Sequence, residues 1–262
     1  MSNAILFANP GERITREDLK LLPAPEATET HHPVAFHVLD DIIQHRIQKE
    51  FGQDICIEPE YALNKKATQF FAVYGIRGLE ETNSGTYPAA ALSSSIDKTL
   101  QPKVAGGGKV MACTNTMVWG SLLEVCRKQT ANSMGDIEMM IVRIMSQLES
   151  HYSQAELEVD LFKEIEVFDD SGYAILGQLY GGGVVTANQL TRSFSAWKKP
   201  QYEEFQPRTA WSLYNSVTEG LKRGQPGHMM GKYMRLHQDF QRRFVNTWHD
   251  EGRIRSHDDD FN

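Results

Sequence analysis

The residues of this sequence best suited to chemistry are lysines and arginines grouped in two stretches. Residues 95–128 contain two acids and five cations, Lys98, Lys103, Lys109, Arg127 and Lys128. Residues 208–249 contain seven cations and two acids, a local charge of +5 (7 − 2). Cations grouped in this way can bind the phosphates of a nucleic acid, although a solvated helix face has the same pattern.

The charge of the whole chain limits which nucleic acid this could be. The 262 residues include 27 Lys and Arg against 34 Asp and Glu, a net charge of −7. Strong nonspecific binding to a duplex depends on many cation–phosphate contacts, which an acidic protein disfavours. A single strand also gains about 1–3 kcal/mol per base stacked on an aromatic ring. Tyr74 or Tyr87 could supply that ring.

Polar residues at strand ends complete the predicted nucleic-acid site. Asp97 directly follows one predicted strand, and Asn115 lies within or at the end of another. Such positions often carry binding residues, but Asp97 could equally cap a turn and Asn115 could bond to neighbouring backbone. The predicted site therefore consists of Asp97, Lys98, Lys103, Lys109, Asn115, Arg127 and Lys128.

Metal and nucleophile motifs are weak. His31, His32 and His37 precede Asp40 and Asp41, and His37 and Asp41 are spaced to share one helix face. No HExxH motif accompanies this His31–Asp41 cluster, so a metal-dependent hydrolase is kept only as an alternative. The sequence contains no GxSxG or GxxxxGK[ST] motif, and its three cysteines form no CxxC pair. We therefore predict no cofactor, no bound metal and no catalytic residue.

The elements that must position these residues form an α+β pattern. A helix is predicted over residues 33–51, and strands over 55–59, 69–76, 86–94, 109–117 and 121–126, with Gly106–Gly108 as a turn. From Met134 onward the spacing of apolar residues is helical. The prediction is an antiparallel sheet with an N-terminal helix, followed by a helical C-terminal half.

Four regions follow from this pattern. Residues 1–30 form an N-terminal arm, 31–133 the helix and sheet, 134–250 a helical region packed on the sheet, and 251–262 a flexible tail. The first apolar stretch, Ala4–Ala8, lacks the basic flank of a secretory signal. No window approaches the roughly 18 apolar residues of a membrane span. We expect a cytoplasmic protein with no membrane partner.

Four segments resemble a known family. Ser93–Thr99, Gly107–Asn115, Cys126–Thr130 and Thr209–Glu219 are similar, in that order, to motifs of the phage/plasmid-like family catalogued as domain of unknown function 932. Ile96 and Gln129 depart from the family pattern at positions where histidine is common. The resemblance implies carriage on mobile elements, often beside replication, recombination or host-interference genes. It implies no assigned reaction.

Two functional hypotheses remain beside the hydrolase. The first is an accessory protein of a mobile element that binds single-stranded DNA or RNA in replication or recombination. The alternative is a host-interference or assembly protein that acts by binding a host or phage protein or by forming a homo-oligomer. The acidic balance and an N-terminal arm able to exchange between subunits favour this alternative.

Overall fold

The computed structural model describes residues 14–78, 85–111, 116–125, 129–222 and 224–246. Within them the chain forms seven α-helices: α1 (Arg16–Lys20), α2 (Phe36–Phe51), α3 (Ser133–Glu164), α4 (Asp169–Gly181), α5 (Ala187–Lys198), α6 (Ala210–Leu221) and α7 (Pro226–Phe240). It also forms five strands: β1 (Cys56–Leu63), β2 (Gln69–Arg77), β3 (Thr86–Ser95), β4 (Lys103–Val110) and β5 (Thr116–Val125). A short 3-10 helix (Glu203–Phe205) precedes α6, and a π-helical segment (Gln241–Asn246) follows α7.

The five strands form one sheet in the order β1-β2-β3-β4-β5. Each strand is antiparallel to the next along the chain. Short connections between successive strands make this arrangement the simplest one, because antiparallel neighbours need no crossover. The predicted fold class is confirmed: an N-terminal helix, an antiparallel sheet and a helical C-terminal half.

The glycine run of β4 corrects one sequence-based prediction. Gly106–Gly108 was expected to form a turn before a strand at 109–117, but all three glycines lie within β4 and pair with Pro88–Ala90 of β3. Strand β4 then ends at Val110 rather than continuing to Met117. A glycine-rich run usually indicates a turn, but here the strand is paired on both sides, which satisfies its backbone within the sheet.

The sheet separates two hydrophobic cores. Phe70, Ala72 and Tyr74 of β2 face one side, where they pack with α1, α2 and most of α3. Phe71 and Val73 face the other side, where they pack with the end of α3 and with α4–α7. Successive strand side chains point to opposite faces, so apolar residues in an unbroken run require cover on both.

The segment predicted as an arm includes α1, which is part of the first core. Thr15 and Asp18 form a reciprocal capping box that starts the helix. Leu19 is completely buried, and Arg16 forms ion pairs with Asp40 and Asp41 of α2. The arm therefore packs on its own chain from residue 15 onward.

Three helices of the C-terminal half begin at residues whose local chemistry favours a helix start. Thr186 and Gln189 form a capping box at α5, the Thr209 side chain caps α6, and Pro226 occupies the first turn of α7. Even the 32-residue α3 is amphipathic. Among the described residues, no helix combines the length and the apolar character needed to cross a membrane.

Candidate functional site

The two tyrosines expected to stack on a base are buried within the sheet. Helices cover both of its faces, and Tyr74 and Tyr87 are 0% and 7% exposed. The Tyr87 hydroxyl donates a hydrogen bond to Glu58, 2.8 Å away. Contrary to the sequence-based expectation, neither tyrosine is positioned to stack on a nucleobase.

Lys109 lies near the end of β4, and its side chain crosses two strands. Its partner on β3 is Tyr87, and its aliphatic stem passes over Gly75 of β2. Its ammonium nitrogen lies 2.6 Å from a carboxylate oxygen of Glu60 on β1. Lys109 is only 4% exposed. This corrects the expectation of a surface cation, because the charge of Lys109 is buried and paired inside the protein.

Two further side chains extend this pair into a network. Glu58 lies 2.8 Å from Arg77 Nε and 4.0 Å from Lys109 Nζ, while Arg77 stacks over the Tyr87 ring at 4.3 Å. Burial raises the pKa of Glu60, and the Lys109 charge opposes this rise. We call Glu58, Glu60, Arg77, Tyr87 and Lys109 the strand ion cluster.

Asp97, Lys98 and Lys103 lie at the opposite end of β4. Lys103 and Lys109 are six positions apart, a distance of about 20 Å along a strand. Asp97 accepts hydrogen bonds from the backbone and hydroxyl of Thr99, which is the turn-capping role considered for it. Lys98 is exposed with a φ of 68°. The predicted cations of the described residues therefore do not form one continuous surface.

The remaining predicted residues, Asn115, Arg127 and Lys128, lie outside the described residues. Gln129 directly follows them and is buried; its side-chain amide donates to Ser94 Oγ at 3.0 Å and to the Ser95 carbonyl at 3.1 Å. In the resembled family a histidine is common at this position. Here the Gln129 amide forms hydrogen bonds with the end of β3.

The His31–Asp41 cluster does not converge. His31 Nε2 lies 3.3 Å from the Ile96 carbonyl. Asp40 is fully buried, where it accepts hydrogen bonds from the Tyr61 hydroxyl and the Gln44 amide, and Asp41 pairs with Arg16. In the part of the chain that the structure describes, no group of three or more histidine, cysteine or acidic residues could hold a metal ion.

Cationic side chains line an open cleft beside α5. A first cleft of about 400 Å³ lies between α5, α6 and the segment that joins them. Its rim carries Arg192 and Lys199, and its one acid, of the residues described, is Glu219. Glu219 is paired with Lys222 of the same helix. The cleft therefore has a net positive rim.

A second cleft of about 270 Å³ adjoins the first, because Arg192 lines both. Its other cation is Lys232, which donates to the Gln189 side chain at 2.6 Å, and His228 lies on its wall. Burial lowers the pKa of Lys232, and the charge of Arg235 lowers it further. We call the two clefts together the α5 groove.

One predicted segment approaches this groove. Leu100, in the loop that carries Asp97 and Lys98, packs against Gly227, where an added Cβ would lie 2.9 Å from it. Gly227 directly precedes His228 of the second cleft. The loop predicted to bind phosphate thus contacts the start of α7, beside the groove.

Of the described cations of the α5 groove, only one lies in a stretch that the sequence predicts to bind phosphate. Lys232 belongs to the second basic stretch, residues 208–249, whereas Arg192 and Lys199 lie in residues 182–202, which contain three cations and no acid. That local excess of cations was the available signal, together with the spacing of seven residues between Arg192 in α5 and Lys199 directly after it.

Comparison of this chain with protein-family models, with curated proteins and with solved structures finds no match. The fold and the groove define an α+β protein with a cationic, two-part surface groove.

Proposed function

We propose that this protein binds single-stranded nucleic acid and that the α5 groove holds the phosphates. The observation that carries the proposal is the position of Arg192, which lines both clefts between Lys199 and Lys232. A guanidinium with five donors in a planar fork is well suited to phosphate oxygens. The proposal therefore assigns phosphate binding to residues of the helical half, and not to the sheet residues expected from the sequence.

The electrostatics of the groove support an anionic ligand. Neither Arg192 nor Lys199 has a carboxylate partner within the described residues. Arg192 lies in α5 and Lys199 directly follows its last residue. Their spacing of seven residues corresponds to about 10.5 Å along a helix. Cations left unpaired along a cleft attract a polyanion even when the protein as a whole is acidic.

The biological setting of the proposal comes from the family resemblance alone. A mobile-element protein that binds single strands would act in replication or recombination, where such strands are exposed.

Fluorescence anisotropy with a labelled 12-nucleotide single strand tests the binding. We expect affinity for the wild-type protein at low salt, a steep loss as salt rises, and weaker binding to the matched duplex. Arg192→Glu should remove most of the binding. Lys49→Glu, the same charge change on exposed α2 across the sheet, should leave it intact. No binding at about 50 mM salt, a condition that favours phosphate contacts, would refute the proposal.

A protein-binding role is the second candidate, supported by the outer face of α3. Met139 and Val142 are 56% and 41% exposed and line a shallow depression with Arg46. Exposed apolar side chains grouped on one helix favour a protein partner. Light scattering after size-exclusion chromatography tests self-association. An oligomer that Met139→Lys converts to a monomer would support this candidate, and a wild-type monomer would count against self-association.

A further inference from the structure

We infer that the first cleft of the α5 groove accepts one unstacked nucleobase of the bound strand. This inference rests on the proposed function and specifies what the cleft contributes beyond the phosphate contacts. The cleft volume of about 400 Å³ is in the range of roughly 300–1,000 Å³ that is usual for small-ligand sites.

The wall of the cleft carries an aromatic side chain suited to stacking. Tyr202 is 37% exposed, and its ring centroid lies 5.8 Å from that of buried Phe205 with an interplanar angle of 76°. This edge-to-face contact holds the Tyr202 ring while leaving part of it accessible. A base can stack on such a ring whatever its identity, because every base has an aromatic face.

The floor of the cleft is polar and built from small side chains. Ser212, Asn215 and Ser216 lie on one face of α6, and each is buried. The Ser216 hydroxyl donates to the Leu213 carbonyl at 2.7 Å, so its oxygen retains lone pairs that can accept a hydrogen bond. A heterocycle with polar edges fits this lining better than an aliphatic ligand does.

The rim of the cleft explains why the ligand would be a nucleotide within a strand. Arg192 stands where the first cleft meets the second, and Lys199 stands on the rim of the first. A base inside the cleft would therefore have cations near its flanking phosphates. In a duplex, entry of that base would require unpairing and unstacking, which costs a few kcal/mol. Single strands avoid this cost.

The test compares two labelled 12-nucleotide strands of equal length and charge, one with bases and one abasic. We expect the wild-type protein to bind the base-containing strand about tenfold more tightly, as loss of one stacked base predicts. Ala196→Leu places a larger side chain in the cleft from a half-buried position of α5 and should abolish this difference. Thr191→Leu, at an exposed position of α5 that lines neither cleft, should preserve it.

Two variants of Tyr202 test the base site without placing a larger side chain in the cleft. Tyr202→Ala should lower the preference for bases about as much as Ala196→Leu does, whereas Tyr202→Phe should retain it. Equal binding of both strands by the wild-type protein, together with weaker binding by Arg192→Glu, would overturn the base site and leave the phosphate groove standing. Binding of neither strand would overturn both proposals.

Discussion

The strand ion cluster and the α5 groove both contain lysine and arginine side chains. They differ in whether these cations are paired with carboxylates. In the cluster, Lys109 is buried and lies 2.6 Å from Glu60, and Arg77 lies 2.8 Å from Glu58. In the groove, Arg192 and Lys199 border open clefts without a carboxylate partner among the described residues. Each cation of the cluster is matched by an acid of β1.

The difference shows what decides the role of a cation in this protein. Lys109 belongs to a locally basic stretch, but Glu58 and Glu60 are brought to it from about 50 residues earlier in the chain by strand pairing. The α5 cations face α6 and α7, which present mostly small, polar or basic side chains. The contrast predicts that variants of the cluster change stability and that variants of the groove change binding.

Lys109→Met should have the largest effect of all. Removal of one partner from a buried ion pair leaves an uncompensated charge and costs about 3–5 kcal/mol in the free energy of unfolding. The double variant Lys109→Met/Glu60→Met should recover much of that loss, because no buried charge is stranded at Glu60. Urea denaturation measures both. A stable Lys109→Met protein with impaired oligonucleotide binding would contradict the prediction that variants of the cluster change stability and not binding.

The loss caused by Lys109→Met should shrink at acidic pH. Burial raises the pKa of Glu60 above its ordinary value of 4.5, and without Lys109 the pKa should rise further. A carboxyl group with a raised folded-state pKa contributes stability below 4.5 that is lost as pH rises through the folded-state value. We therefore expect the stability difference between the variant and the wild type to be smaller at pH 4.5 than at pH 7. A pH-independent difference in urea midpoints would refute this account.

Gly75→Ala should destabilise the cluster by about 1–3 kcal/mol through overpacking. An added Cβ would lie 2.6 Å from a ring carbon of Tyr87 and 3.2 Å from Lys109 Cδ. Gly177→Ala on α4 is the matched control, because its Cβ would meet nothing within 4 Å. That control should gain about 0.4–1 kcal/mol. Thermal unfolding of the two variants tests whether the Lys109 stem crosses the sheet at Gly75.

Lys199→Gln should have the smallest effect, confined to binding. Each phosphate contact on a single strand contributes about 0.7 to the slope of log affinity against log salt, so this slope should fall by about 0.7. The free energy of unfolding should change by less than about 0.5 kcal/mol, as for other surface positions. Lys49→Gln on α2 should change neither quantity. An unchanged slope for Lys199→Gln would remove this residue from the groove contacts.

Much of the fold could be predicted from local patterns. The capping residues Thr186 and Thr209 and the first-turn Pro226 define helix starts through interactions within a few residues. The β-branched and aromatic residues of β2 likewise indicate a strand. Gly106–Gly108 was misassigned because its neighbours on β3 and β5, and not its own residue types, keep it extended.

The candidate site could be predicted only in part. A basic character for residues 208–249 was recognised, and Lys232 from that stretch lines the groove. Arg192 and Lys199 lie in a short stretch with three cations and no acid, but their significance comes from the cleft that α6 forms beside them. Lys109 was expected at a surface because it belongs to the basic stretch 95–128, whereas the carboxylates that pair with it come from β1.

The sequence by itself determined the class of fold, the helical character of the chain from Met134 onward and the presence of basic residues within an acidic chain. These properties depend on periodicity, capping and composition, which act over a few residues. Tertiary structure alone decided which cations are neutralised and which line a cleft. Electrostatic interactions depend on distances in space and on burial, and strand pairing and helix packing set both for residues far apart in the chain.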